Sequence, residues 1–96
     1  MKLISVGPSL HHDKKYQAVF QDDNGRRKTT HFGAAGMDDY LHTKDKEQRD
    51  RYRSRHQKDL RTQDPTRAGF LSYYILWGES TSFQNNLKAY KRKFGL

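Results

Sequence analysis

Arginine and lysine carry the chemistry that stands out in this chain, and eleven of the nineteen form three groups along the sequence. Arginine presents a planar fork of donors and lysine a compact positive charge, and both side chains bind phosphate oxygens. We therefore predict that these residues contact the phosphates of a nucleic acid. The three groups are Arg26, Arg27 and Lys28, then Lys44, Arg51, Arg55 and Lys58, and finally Lys88, Lys91, Arg92 and Lys93.

The overall charge of the chain agrees with such a partner. Nineteen lysines and arginines oppose eleven acids, which gives a net charge of +8 and an isoelectric point near 9.9. This excess favours a polyanionic partner, nucleic acid before an anionic membrane surface. The excess is spread along the chain, so we expect it on folded surface and not in a disordered basic tail. A basic protein whose charge only keeps it soluble is the alternative.

Histidines and acids offer two further candidate sites. The run His11–Asp13 carries metal-ligating side chains, and His42 has Asp38 and Asp39 close in sequence for acid–base chemistry. Neither set has the spacing of a known metal or catalytic motif. The chain has no cysteine, which excludes disulfides and thiolate metal sites. We therefore predict no enzymatic activity, no catalytic residue, no metal site and no cofactor.

An antiparallel hairpin is predicted to position the first basic group. Residues Asp22–Gly25 contain an Asn-Gly pair, which is typical of a hairpin turn. The segment Arg26–Phe32 then returns as a second strand, and Lys2–Val6 is a candidate third strand. The strand before the turn, Lys14–Gln21, alternates with period two and places on its buried face Tyr16, Ala18 and Phe20.

The position of the first basic group on this hairpin has two interpretations. Arg26, Arg27 and Lys28 cluster next to the turn, and a β-ribbon with a basic tip can lie in a groove of a duplex or along its phosphates. The same charges can instead protect an exposed edge strand against pairing with another chain. Both interpretations stay open from the sequence.

A polar helix starting near Thr43 is predicted to carry the second basic group. Thr43 is the expected N-cap, and the face with Tyr52, His56 and Leu60 is expected to point inward. A solvated surface helix with internal salt bridges is the alternative to a phosphate-binding one. The opposite, outward face holds Lys44, Arg51, Arg55 and Lys58.

The segment Ala68–Trp77 is apolar on nearly every side, so we predict it to be the buried central helix. Thr66 is its expected cap, and it is too short to span a bilayer, which needs about 20 apolar residues. A last helix, capped by Ser80 or Thr81, is expected to bury a stripe with helical spacing and to carry the third basic group near its C-terminus. The stripe consists of Phe83, Leu87, Tyr90 and Phe94.

These elements predict a single α+β domain over residues 1–96. Its N-terminal antiparallel hairpin of two or three strands packs with about three helices, and the apolar helix 67–77 is central. Only 32% of the residues are hydrophobic, so the core is expected to be small. Met1–Pro8 lacks the apolar run of a secretory signal and no segment could cross a membrane, so we expect no membrane partner.

A series of short motifs from His31 onward resembles a known family. The string His31–Tyr40 is followed by His42, Arg55-His56, Ala68–Phe70 and Leu76-Trp77. In order and spacing this series is similar to uncharacterised small basic proteins encoded by large nucleocytoplasmic DNA viruses of algae and amoebae. The chain departs from that pattern at residues 72–74, where Ser-Tyr-Tyr replaces serine, a basic residue and tryptophan. A weaker architectural likeness connects the chain to the chromosomal protein of methanogenic archaea.

The resemblance implies a viral protein that acts in the virion, the host nucleus or a cytoplasmic virus factory. Together with the charge, it leads us to expect a DNA-architectural or packaging protein that binds double-stranded DNA without sequence specificity. A virion structural protein that contacts other virion proteins is one alternative. RNA binding is another, and exposed rings of Tyr16, Tyr40 and Tyr52 would favour it by base stacking. The exposed hairpin edge is compatible with a homodimer.

Overall fold

Three antiparallel strands form the N-terminal part of the structure, a computed structural model that describes all 96 residues. They lie side by side in the order of the sequence. The predicted turn joins the second and third strands, with Gly25 at a positive φ of 82° that favours glycine. The hairpin prediction is confirmed, and the candidate third strand is present. The strands are β1 Lys2–Pro8, β2 Lys14–Gln21 and β3 Arg27–Ala34.

One face of this sheet belongs to the core. Ala18 and Phe20 of β2 are fully buried and Tyr16 is half-buried, as the alternating pattern predicted. Phe32 of β3 lies directly opposite Tyr16 and is also buried, and the two rings are 5.7 Å apart. The other face of the sheet meets no helix that buries it and is mostly polar.

Four α-helices follow the sheet, and two of them continue in a different helical geometry. A 3-10 helix, Gln57–Thr62, prolongs the second α-helix, and a π-helical segment, Ser72–Leu76, prolongs the third. The third helix and its π-helical continuation, residues 68–76, are called the core helix below. The predicted α+β class is confirmed. The helices are α1 Tyr40–Thr43, α2 Lys46–His56, α3 Ala68–Leu71 and α4 Phe83–Phe94.

The core helix has a neighbour on each of three sides. Its Leu71, Ile75 and Leu76 are almost fully buried and share one cluster with apolar residues of the sheet and of α4. The third side is formed by α2, whose Tyr52 ring stacks at 4.3 Å on Trp77, the residue that follows the core helix. The predicted central position of this helix is confirmed. No helix of the protein combines the length and the apolar character needed to cross a membrane.

The predicted start of the polar helix at Thr43 is wrong. Thr43 ends α1, and Lys44 then adopts a left-handed conformation with φ of 57°. This conformation breaks the helical path, so α2 starts afresh with Asp45 as its N-cap. The Asp45 carboxylate accepts hydrogen bonds from the backbone N–H groups of Glu47 and Gln48 at 3.0 and 3.2 Å.

Thr66 does not cap the core helix, because its side chain is used elsewhere. Its Oγ1 donates to Asp64 at 2.6 Å and accepts from the Lys28 ammonium at 2.9 Å. The N-cap position is occupied by Arg67, whose side chain makes no capping bond. Thr66 therefore fixes the loop before α3 to strand β3, and it does not cap the helix.

Helix α4 confirms the predicted apolar stripe but not the predicted cap. Ser82 is the N-cap, and its Oγ accepts from the Asn85 N–H at 3.2 Å. Ser80 lies before the helix, and its Oγ accepts from the Ser82 N–H at 2.9 Å. Tyr90 is buried, and the remaining stripe residues, half-buried against the core, are Phe83, Leu87 and Phe94.

The buried phenol of Tyr90 predicts how stability depends on alkaline pH. Its hydroxyl donates to the Pro65 carbonyl, and burial raises the pKa of Tyr90 above its ordinary value of 10.0. The contribution of Tyr90 to the free energy of unfolding is therefore complete below pH 10. It decreases above pH 10, because the Tyr90 phenol ionises at lower pH in the unfolded chain than in the folded one. The loss has a slope of at most about 1.4 kcal/mol per pH unit.

Urea unfolding of the wild type and of Tyr90→Phe at pH 8 and pH 11 tests this. The variant is expected to be less stable at pH 8, because it lacks the hydrogen bond, but to lose less stability between the two pH values. Equal losses in both proteins would contradict the assignment to Tyr90.

Candidate nucleic-acid interface

The eleven predicted phosphate-binding side chains are all exposed, but they do not form one surface. The structure separates them into a group between the sheet and the 3-10 helix, a group on α4, and four residues outside both groups. Two arginines that the helical pattern did not single out, Arg61 and Arg67, join the first group. The four residues outside both groups are Arg26, Arg27, Lys44 and Arg51.

The hairpin does not present a basic tip. Lys28 pairs across the sheet with the buried Phe20 and therefore points to the helix side, whereas Arg27 points to the opposite face. The turn itself carries two acids, Asp22 and Asp23. The Asp22 carboxylate accepts from the backbone N–H of residues 24 and 26 at 2.9 Å and holds the turn. The first basic group is therefore split between two faces of the sheet.

The basic face of α2 continues into the 3-10 helix. Arg51 and Arg55 lie one turn apart, and Lys58 follows in the 3-10 segment. In a 3-10 helix residues three apart are eclipsed, so Arg61 shares the face of Lys58. The prediction that Lys44 belongs to this face is wrong, because Lys44 lies before α2 in a left-handed conformation.

Lys58 and Arg61 meet Lys28 and Arg67 in a shallow depression of about 950 Å³ between β3, the 3-10 helix and the start of α3. Arg55 lines a neighbouring depression together with Lys58 and Arg61. The loop before α3 is fixed to β3 by the Thr30 hydroxyl, which donates to the Thr66 carbonyl at 2.7 Å. The Lys28 ammonium bonds the side chain of the same threonine. We call this surface the basic groove, and its cations are Lys28, Arg55, Lys58, Arg61 and Arg67.

Two carboxylates lie in or beside the groove, and both are already engaged. Asp59 is 3.0 Å from the His56 imidazole. Asp64 accepts hydrogen bonds from the side chain and backbone of Thr66, which lower the pKa of Asp64, and it pairs with Arg67 at 3.6 Å. Five cations therefore face two carboxylates, and the surface keeps a net positive charge.

A cleft of about 460 Å³ adjoins the basic groove, between the end of the sheet and α2. Its wall includes a stack of three rings in which Tyr52 lies between Trp77 and His56, with centroid distances of 4.3 and 4.1 Å. Burial raises the pKa of Tyr52 above its ordinary value of 10.0. The stack fixes α2 to the core helix.

The three tyrosines that would favour single-strand binding have protein on their rings. Tyr40 is buried, with the Arg49 guanidinium 4.9 Å from the ring centroid. Tyr16 is half-buried between Phe32 and Phe83. Tyr52 is held in the stack described above. None of these rings lies free on the surface for a base to stack on.

The candidate histidine sites have other contacts in the structure. The His11 ring stacks on His31 at 3.9 Å, and His31 Nδ1 is 2.8 Å from the Ser9 hydroxyl. Asp39 binds the Lys15 ammonium at 2.7 Å and accepts from the His42 backbone N–H, so its carboxylate is not paired with the His42 imidazole. No group of three or more histidines and acids is placed to hold a metal ion.

The cations of the third group lie together on the C-terminal half of α4, and we call them the C-terminal patch. Lys93 lies 5.8 Å from the centroid of the Tyr74 ring, which steadies its position. No acid follows Glu79 in the sequence, so no carboxylate of α4 neutralises the patch. Its members are Lys88, Lys91, Arg92 and Lys93.

The fold and this surface define a small, basic α+β protein with a cationic groove. Residues 4–56, a little over half of the chain, match the model of a family of unknown function, DUF5754, and the chain belongs to this family. The matched segment runs from β1 to the end of α2. Neither a search of curated proteins nor a search of solved structures found a match.

Proposed function

We propose that this protein binds double-stranded DNA through its phosphates, with little sequence preference, and acts as a DNA-architectural or packaging protein. The basic groove carries the proposal, because it gathers five cations from three separate elements into one surface. Two of these cations are held by the fold, Lys28 through its bond to Thr66 and Arg67 through its pair with Asp64, so less side-chain freedom is lost there on binding. The viral origin and a location in the virion rest on the sequence resemblance and remain part of the proposal.

Phosphate binding fits the chemistry of the groove better than base reading does. Its cations line a depression, and their exposed guanidinium and ammonium groups are suited to bind phosphate oxygens. Contacts to phosphates fix the protein on the duplex but carry no sequence information. RNA binding by stacking has less support, since the rings of the three tyrosines are covered by protein.

A fluorescent random-sequence duplex of 30 base pairs, titrated at several salt concentrations, tests the proposal. Phosphate binding releases condensed counterions, so the logarithm of the association constant should fall linearly with the logarithm of salt. About six phosphate contacts would lower affinity roughly a thousandfold between 50 and 200 mM salt. Absence of binding at 50 mM would refute the proposal and favour a role in contacting acidic virion proteins.

The double variant Lys58→Gln/Arg61→Gln should weaken duplex binding and flatten its salt dependence. The salt slope is expected to fall by about 0.9 for each phosphate that the variant no longer neutralises, and affinity at 0.1 M salt by roughly 10- to 100-fold. Lys2→Gln/Lys46→Gln is the matched control, because it removes the same charge at exposed positions outside the groove. Equal reductions of affinity in the two variants would mean that only net charge matters.

A further inference from the structure

We infer that one chain of this protein holds two duplexes at once, one on the basic groove and one on the C-terminal patch. This inference rests on the proposed function and names a second binding surface for the same class of partner. It follows from where the two cationic surfaces lie relative to the core helix, and from the stiffness of double-stranded DNA.

The basic groove lies between two of the three neighbours of the core helix. Its walls are β3, which contributes Lys28, and the 3-10 helix after α2, which contributes Lys58 and Arg61. Helix α4 packs on the remaining side of the core helix, where Tyr90 is buried. The Tyr90 hydroxyl also reaches the loop before α3, where it donates to the Pro65 carbonyl, so the side of α4 opposite Tyr90 points away from that loop and from the groove.

The C-terminal patch occupies the part of α4 that points away from the core. At 100° per residue, Lys88 and Arg92 lie about 160° from Tyr90, the residue that points inward. Lys91 and Lys93 lie on the two flanks between them and the core. The depression beside Lys93 is lined by Arg53, Tyr73 and Tyr74, and none of these residues lines the basic groove. The two surfaces share no cation.

A single duplex cannot reach both surfaces of so small a protein. The longest dimension of the fold is 42 Å and the other two are 27 and 23 Å. Even at nucleosomal curvature, about 45° per 10 base pairs, a half turn needs roughly 40 base pairs, or about 140 Å of helix axis. Such a path is longer than the way around a protein of these dimensions. Two cationic surfaces on different sides thus require two segments of DNA.

Duplex capture on beads measures this bridging directly. A biotinylated 30-base-pair duplex is fixed on beads, and a fluorescent duplex of different sequence is added with the wild-type protein at 50 mM salt. The wild type should retain the fluorescent duplex on the beads. Lys88→Gln/Lys91→Gln/Arg92→Gln/Lys93→Gln should still bind a single duplex in titration but retain the second one on the order of tenfold less.

Matched variants separate bridging from net charge and from self-association. Lys2→Gln/Lys14→Gln/Arg27→Gln/Lys46→Gln removes the same charge from other exposed positions and should still bridge. Bridging that survives loss of the patch would overturn the inference and point to a dimer joined through another surface. If the wild type binds one duplex but never captures a second, the inference is wrong and the proposed function stands. If the wild type binds no duplex, both the inference and the proposed function are wrong.

Discussion

Replacing Asn86 by aspartate is expected to lower the free energy of unfolding by roughly 3–5 kcal/mol at neutral pH, because it leaves an uncompensated buried charge. Asn86 lies on α4 with only 4% of its surface exposed. Its Nδ2 donates to the carbonyls of Ile75 and Ser80 at 2.9 and 2.7 Å. Its Oδ1 accepts from the Ser80 N–H at 3.0 Å. A carboxylate there would turn an oxygen toward two carbonyl oxygens.

The loss should depend on pH in a defined direction. Burial and the two carbonyls raise the pKa of the new carboxyl in the folded state, because they disfavour its charged form. The deficit should therefore be smallest below pH 4, where both folded and unfolded chains are protonated. It should grow as the pH rises from there toward the folded-state pKa. Urea unfolding at pH 3.5 and pH 7 measures this difference.

Asn85 provides a matched control for this substitution. It is exposed, adjacent in sequence and in the first turn of α4, where a negative charge interacts favourably with the helix dipole. Asn85→Asp is therefore expected to be neutral or slightly stabilising. If Asn86→Asp were as stable as Asn85→Asp at pH 7, the three hydrogen bonds of Asn86 would not be holding the end of the core helix.

The role of Asn86 also shows where prediction from sequence stops. Periodicity predicted the strand Lys14–Gln21, the central apolar helix and the stripe on α4, because it reports which face of an element is buried. The π-helical widening at residues 72–76 carries no such periodic signal. The backbone bond from Trp77 N–H to the Ser72 carbonyl, at 3.0 Å, defines it. Asn86 is brought to this helix end by tertiary packing alone.

The basic groove was predictable only in part, for the same reason. Helical spacing placed Arg51 and Arg55 on one outward face, and the structure agrees. The prediction also extended that spacing back to Lys44, whose left-handed conformation interrupts the helix. The prediction missed Arg61, because the change from α-helical to 3-10 geometry alters the angle between successive residues. Lys28 and Arg67 enter the groove through contacts between distant segments, which no local pattern reports.

Replacing Trp77 by alanine is expected to destabilise the protein by about 3–5 kcal/mol and to weaken DNA binding, although no charge is removed. Helix α2 has no fully buried residue of its own. The stack of Tyr52 on Trp77, with an interplanar angle of 9°, is its main aromatic contact at the end of the core helix. Further support comes from the Arg53 guanidinium, 4.6 Å from the centroid of the Tyr73 ring.

Two readouts separate a local effect on α2 from global unfolding. Hydrogen exchange of the α2 amides should quicken more in Trp77→Ala than exchange of the β2 amides, because the helix opens independently of the sheet. The duplex titration is then made at a temperature where circular dichroism shows both proteins folded. Trp77→Phe is the control, since a phenyl ring retains stacking on Tyr52 and should preserve most of the affinity.

The comparison of these two variants decides what the aromatic stack does for the groove. Arg55, Lys58 and Arg61 can act together only if α2 and its 3-10 continuation stay docked beside β3. Loss of affinity in Trp77→Ala, with retention in Trp77→Phe, would mean that the stack pre-organises the cations for phosphate binding. Unchanged affinity with fast exchange of α2 would mean instead that the cations bind as flexible charges. The groove would then owe its function to charge alone and not to its shape.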